Sequence, residues 1–146
     1  MKYFVDTNIF IRTLIKDDEE QFNFSLNFLK AIKKNQIKGC TSTLVLAELI
    51  WTLTSFYKFE KEKAVRALKS ILNLRGLEIY DKYDYFKAVE LYEKYSIKFI
   101  DALIASNPEI LEKKIIIVSF DKDFDKLTII RKEPKEILIY LNKQIE

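Results

Sequence analysis

Four consecutive β-branched residues, Ile115-Ile116-Ile117-Val118, set the strongest constraint on how this chain folds. A strand wetted on one side alternates apolar and polar residues, whereas an unbroken run marks a strand covered on both faces. Around it, short strand-like and helix-like segments alternate. Tyr3-Phe4-Val5 predicts a buried strand ending at Asp6, then a helix capped by Asn8 and running to Ile15. Asp17 to Glu20 open a second helix, where the dipole favours negative charge, with Phe22, Leu26, Leu29 and Ile32 at the spacing of one buried stripe. Gly39-Cys40-Thr41 predicts a strand, and Ser42 or Thr43 caps a helix over Leu44 to Tyr57. A helix follows from Glu60 to Leu74, stopped by Gly76, and Leu77 to Tyr80 alternates as a strand. Asp84 to Tyr95 and Lys98 to Ser106 are helical, and Pro108 marks a turn because it cannot donate within a helix. Thr128-Ile129-Ile130 predicts the last strand, and Pro134 opens a closing helix to Asn142. Strands separated by helices in this order predict a parallel sheet in a helix-coated α/β sandwich. The site of such a sheet lies at the carboxyl ends of its strands.

At 146 residues the chain is read as one domain, 1–146, with no linker among its two Gly and two Pro. The first residues reach an acid at Asp6, so neither a signal peptide nor a membrane span is expected there. The lone Cys40 forms no internal disulfide, which suits a reducing compartment; a soluble cytoplasmic protein is expected. There is no histidine. That excludes Ser-His-Asp and Cys-His nucleophiles, and with one Cys it also excludes ordinary zinc sites. Carboxylates remain as the tools of an enzyme, and they recruit hard cations such as Mg²⁺ or Mn²⁺. The net charge of +3 is too small to identify a nucleic-acid binder. Basic groups cluster near Lys30, Lys33, Lys34 and Lys38 and over residues 58–69, as solvated helix faces or as holders of phosphates.

Four acids stand in apolar settings. Glu48 is the only ionisable residue of LVLAELIWTL, Leu44 to Leu53, and is either a buried carboxylate needing a partner or the solvent stripe of an amphipathic helix. Asp6 closes a strand and is followed by Thr7 and Asn8; capping is its bland alternative. Asp101 is either a first-turn acid facing the helix dipole or a packed one, since Ala102-Leu103-Ile104-Ala105 after it are small and apolar residues suited to packing on a sheet. Asp121 follows the buried run, with Asp123 and Asp125 behind it, and Asp125 is read as part of a solvated turn. A calcium loop starting at Asp121 fails, because Lys126 stands where Gly is needed and Lys132 where Glu is needed. Converging carboxylates repel and raise one another's pKa, and a divalent cation reverses that penalty. Such a cluster suits metal-assisted attack of water on a phosphodiester. An Asp-nucleophile phosphatase would need a second acid two residues after Asp6, where Asn8 stands.

VDTNIFIR (5–12), STLVLAEL (42–49), FIDALIA (99–105) and VSFDKDF (118–124) resemble, in order and spacing, the motifs of the PIN-domain ribonucleases, most of all the stand-alone VapC-type toxins of toxin–antitoxin pairs. The resemblance covers residues 3–127. It implies a three-layer α/β/α sandwich with a central, mostly parallel sheet. It also implies an acidic quartet of Asp6, Glu48, Asp101 and Asp121 that binds Mg²⁺ or Mn²⁺ and activates water. Asp123 matches an additional acid acting through a coordinated water, and Thr7, Asn8 and Ser119 match residues that orient the acids. Ser119 stands where family members commonly have Thr, and Asn107-Pro108 interrupts what is often a longer helix. The activity implied is cleavage of RNA, with a protein antitoxin and a second copy of the chain as partners. The competing reading is a non-catalytic module of the same fold that binds an antitoxin or RNA.

Overall fold

The computed structural model describes all 146 residues. Five parallel strands form one sheet: β1 (Lys2–Val5), β2 (Lys38–Thr41), β3 (Leu77–Ile79), β4 (Ile115–Val118) and β5 (Arg131–Lys132), in the order β3-β2-β1-β4-β5. This is the parallel sheet of a helix-coated sandwich that the alternation of strands and helices predicts, and the three-layer α/β/α fold that the resemblance implies. β4 lies between β1 and β5 and is buried along its whole length, as its four β-branched residues require. Its register pairs Phe4 with Ile117 and Val5 with Val118, so both central strands end level.

The helices are α1 (Thr7–Leu14), α2 (Glu19–Lys33), α3 (Thr43–Trp51), α4 (Lys61–Leu72), α5 (Tyr85–Lys94), α6 (Phe99–Ala105), α7 (Pro108–Leu111) and α8 (Pro134–Ile145). The sheet order reverses direction after β3, and right-handed crossovers then place α1–α4 on one face and α5–α7 on the other. The switch point falls between β1 and β4, where a crevice opens beyond the carboxyl ends of both strands.

Several elements differ from their sequence-based expectation. Asp6, not Asn8, caps α1, because its carboxylate reaches the Thr7 N–H at 2.9 Å. The buried face of α2 is Ser25, Phe28, Ala31 and Ile32; Phe22, Leu26 and Leu29 are only half-buried on a helix that packs between α1 and α8. The helix predicted from Leu44 to Tyr57 is α-helical only to Trp51 and continues as a wider π-helical turn over Thr52–Phe56. The last strand is Arg131–Lys132 rather than residues 128–130, and α8 continues past Asn142 to Ile145. Asp125 lies exposed on the 3-10 turn, as expected, and its two oxygens also accept from Arg131 at 2.8 and 3.0 Å. No helix is long and apolar enough to cross a membrane.

Candidate active site

The strand ends build one half of the crevice. The Asp6 N–H donates to the Val118 carbonyl at 3.1 Å, so the β1–β4 ladder carries the chain directly into the acid. One carboxylate oxygen, Oδ1, accepts from the Thr7 N–H. The other, Oδ2, accepts from the Ser119 hydroxyl at 2.6 Å and from the Asn8 amide at 3.3 Å. Asn8 also donates to Ser119 Oγ at 2.9 Å and accepts from the Phe120 N–H at 3.1 Å. Ser119 Oγ in turn accepts from the Asp121 N–H at 3.0 Å. Asn8 and Ser119 thus tie the residue after β1 to the residues after β4. Asp121 is half-buried and caps a 3-10 turn by accepting from the Asp123 N–H at 2.9 Å.

Helices supply the other half. Ser42, buried, caps α3, and its hydroxyl accepts from the Val45 N–H. The Thr43 N–H and hydroxyl donate to Asp81, which also accepts from the Tyr83 hydroxyl at 2.5 Å. This anchorage holds the start of the helix that presents Glu48. Glu48 is half-buried and faces the crevice, between the two alternatives its apolar neighbourhood allows. Asp101 is 5% exposed on α6, with Ala102 and Ala105 fully buried beside it, the close packing that its small neighbours predict. Its Oδ2 has no hydrogen-bond partner; in the same crevice the Thr7 hydroxyl is also buried without one.

Asp6, Glu48, Asp101 and Asp121 line a single cleft of about 300 Å³. Asp123 does not join them. Its carboxylate pairs with Lys126 at 2.9 Å and faces an adjoining groove. Burial raises the Asp6 carboxyl to about 6; the bonds from Ser119 and Thr7 oppose the rise, and the charges of Glu48 and Asp121 add to it. Asp101 is pushed up to about 7, first by burial and then by the charges of Asp6 and Asp121, with Lys98 pulling the other way. Both are buried acids whose neighbours' charges add to a cost of ionising that Lys98 offsets only in part at Asp101.

A divalent cation fits that deficit. The donors are all hard oxygens, and the buried, unpartnered Asp101 Oδ2 is an acceptor awaiting a positive group. No three of the acidic side chains already stand in ligand geometry for one ion. The fit is therefore one of charge and donor type rather than of a finished cage. Arg12, Trp51, Tyr57 and Lys98 also line the cleft, and sequence reasoning singled out none of them for the site. Helical spacing was the available signal: Trp51 lies three residues after Glu48, and Lys98 three before Asp101.

A family profile described as PIN domain matches residues 3–130. No curated protein sequence matches the chain. Among solved structures, VapBC2 from Rickettsia felis, bound to a DNA fragment from the promoter, is 27% identical, with a TM-score of 0.67 over 91% of this chain and 98% of that one. VapC20 from Mycobacterium tuberculosis, a Sarcin-Ricin loop cleaving toxin, is 19% identical, with a TM-score of 0.59 over 88% of this chain and 96% of that one. VapBC-1 from nontypeable Haemophilus influenzae is 17% identical, with a TM-score of 0.61 over 92% of this chain and 99% of that one. The last two likenesses concern the fold alone.

Proposed function

The chain belongs to the PIN-domain family, and from that premise we propose that it is a Mg²⁺- or Mn²⁺-dependent endoribonuclease, the toxin of a toxin–antitoxin pair acting in the cytoplasm. The observation that carries the reading is the meeting of Asp6, Glu48, Asp101 and Asp121, from four separate elements, in one cleft that holds more negative charge than its cations offset.

In this reading Asp6, Glu48, Asp101 and Asp121 hold the metal. When bound, it supplies an activated water and stabilises the leaving 3′-oxygen of a phosphodiester. The chain's own part is to orient the acids. Ser119 and Thr7 fix both oxygens of Asp6, and Asn8 holds Ser119 in place. Asp101 keeps one oxygen free of any protein donor. Asp121 is aimed by its cap on the following turn, and Glu48 by the anchored start of α3. Asp123, paired with Lys126 outside the cleft, has at most an indirect role.

A second copy of the chain and a protein antitoxin are the proposed partners. The R. felis relative is VapBC2 bound to a DNA fragment from the promoter. On α5, Phe86 is 91% exposed beside exposed Tyr85 and Val89, an apolar strip that suits a protein partner. The test is to incubate the protein with structured RNA and Mn²⁺ and to repeat with Asp6→Asn. Cleavage by the first and not the second is expected. Equal cleavage by both would remove Asp6 from the site and point to a contaminating nuclease.

A further inference from the structure

The acid cleft shares a wall residue with each of two neighbouring grooves. Lys98 lines both the cleft and a groove walled by Tyr92, Tyr95, Ser96, Ile97 and Asp123. Tyr57 lines both the cleft and a groove walled by Lys58, Lys63 and Arg66, with Glu60 and Glu62 among them. Lysines and arginines that track a backbone, with aromatic faces on which bases stack, are what single-stranded nucleic acid requires. Resting on the ribonuclease reading above, we propose that the three hollows form one track for a single RNA strand, crossing Tyr57, the acids and Lys98, with Lys98 holding the phosphate beside the acids.

The distribution of charge along the cleft singles out Lys98. Four carboxylates repel a phosphodiester, so a free cation at their edge has a large effect on whether a strand settles there. Arg12, the other cation of the cleft, is engaged by Asp17 at 2.6 Å. Lys98 takes part in no ion pair of the structure. It is close enough to act on Asp101 but not bonded to it. The acid in the neighbouring groove, Asp123, is neutralised by Lys126. That leaves Lys98 between two tyrosines and the acids with its charge unspent.

Size points the same way. A cleft of about 300 Å³ takes only a short piece of a polymer, so affinity must come from the flanks. On the Tyr57 side those flanks carry Lys58, Lys63 and Arg66. Lys30 and Lys34, basic candidates from the sequence, instead line a hollow between α2 and α8 that shares no residue with the cleft.

The experiment uses a labelled pool of randomised single-stranded RNA of about twelve nucleotides, within the span of such sites. Cleavage is followed with Mn²⁺ and binding with Ca²⁺ over a series of salt concentrations. Lys98→Gln is expected to raise KM about tenfold, the worth of one charged contact, with a smaller change in kcat. It should also flatten the dependence of log K on log salt by about 0.7, and Lys98→Arg should restore both. The pair Lys63→Gln with Arg66→Gln should flatten that slope by about 1.4. Lys143→Gln, on α8, should change nothing. An unaltered KM and slope for Lys98→Gln overturns the track. So does a larger effect from Lys34→Gln, which would route the strand over the α2–α8 face. A shift in sedimentation of Lys98→Gln without a change in KM gives the groove to a second copy instead. If the wild-type chain neither binds nor cuts the pool, Asp6→Asn is equally silent, and the ribonuclease reading falls and takes the track with it.

Discussion

Asp6 and Asp101 are equally buried, 5% exposed each, yet the chain treats them in opposite ways. Asp6 stands at the end of a central strand and accepts three hydrogen bonds, from Thr7, Asn8 and Ser119. Asp101 stands on a short helix and keeps an oxygen with no partner at all. The strand half of the cleft is therefore finished by protein donors, whereas the helix half leaves an acceptor open. A buried acceptor that forgoes a hydrogen bond costs about 1–3 kcal/mol, a cost usually retained for a purpose. In the proposed centre that purpose is a bound cation.

The largest effect expected is on catalysis. Asp101→Asn and Asp6→Asn should each reduce RNA cleavage about a thousandfold, since removing several kcal/mol of charge stabilisation costs a factor of ten per 1.36 kcal/mol. Ser119→Ala tests the finished half. It removes the 2.6 Å bond to Asp6 and should lower activity by about 10–100-fold, measured as kcat with Mn²⁺ saturating. If Ser119→Ala is as damaging as Asp6→Asn, the distinction between an acid and its support collapses.

Heat and pH sharpen the contrast without any substrate. Asp101, pushed up to about 7, and Asp6, pushed up to about 6, bind more protons in the folded than in the unfolded chain from about pH 4 upward. Their contribution to stability is therefore fully present below about pH 4 and is lost progressively as pH rises to about 6 for Asp6 and about 7 for Asp101. Metal-free protein should have a higher Tm near pH 5 than near pH 8 on account of these groups. Asp101→Asn should raise Tm at pH 8 by several degrees and flatten that profile. A profile unchanged by the substitution would mean that Asp101 is already compensated. The smallest effect is expected at Asp123→Asn. Its partner is an exposed lysine, and such pairs contribute about 0–1 kcal/mol, so cleavage should fall less than about fivefold.

What was legible in the sequence followed from local chemistry. Four β-branched residues fixed β4, Pro134 the start of α8, and the apolar settings of Asp6, Glu48, Asp101 and Asp121 drew attention to them. Missed features depend on partners distant in the chain. Ile129 and Ile130 look like the last strand because they are apolar, and they do pack on the core. The strand itself is the polar Arg131–Lys132, where Arg131 donates to the Ser119 carbonyl at 2.9 Å and grips Asp125. On α2, apolarity marks Phe22, Leu26 and Leu29, but Ser25 and Phe28 are the covered residues, with the Phe28 ring packed edge-on against Tyr3 of β1. Lys98 has no motif of its own; only the fold shows that it joins the cleft to its neighbouring groove.

The central claim is that the four acids make a cation site whose open member is Asp101. Calorimetric titration of Mn²⁺ into the metal-free protein, and into Asp101→Asn, tests it most directly. Binding to the wild-type chain is expected, with its loss, or a weakening of about 10–100-fold, in the variant. A wild-type chain that takes up no Mn²⁺, or a variant that binds as tightly, would contradict it and leave a non-catalytic module of the same fold.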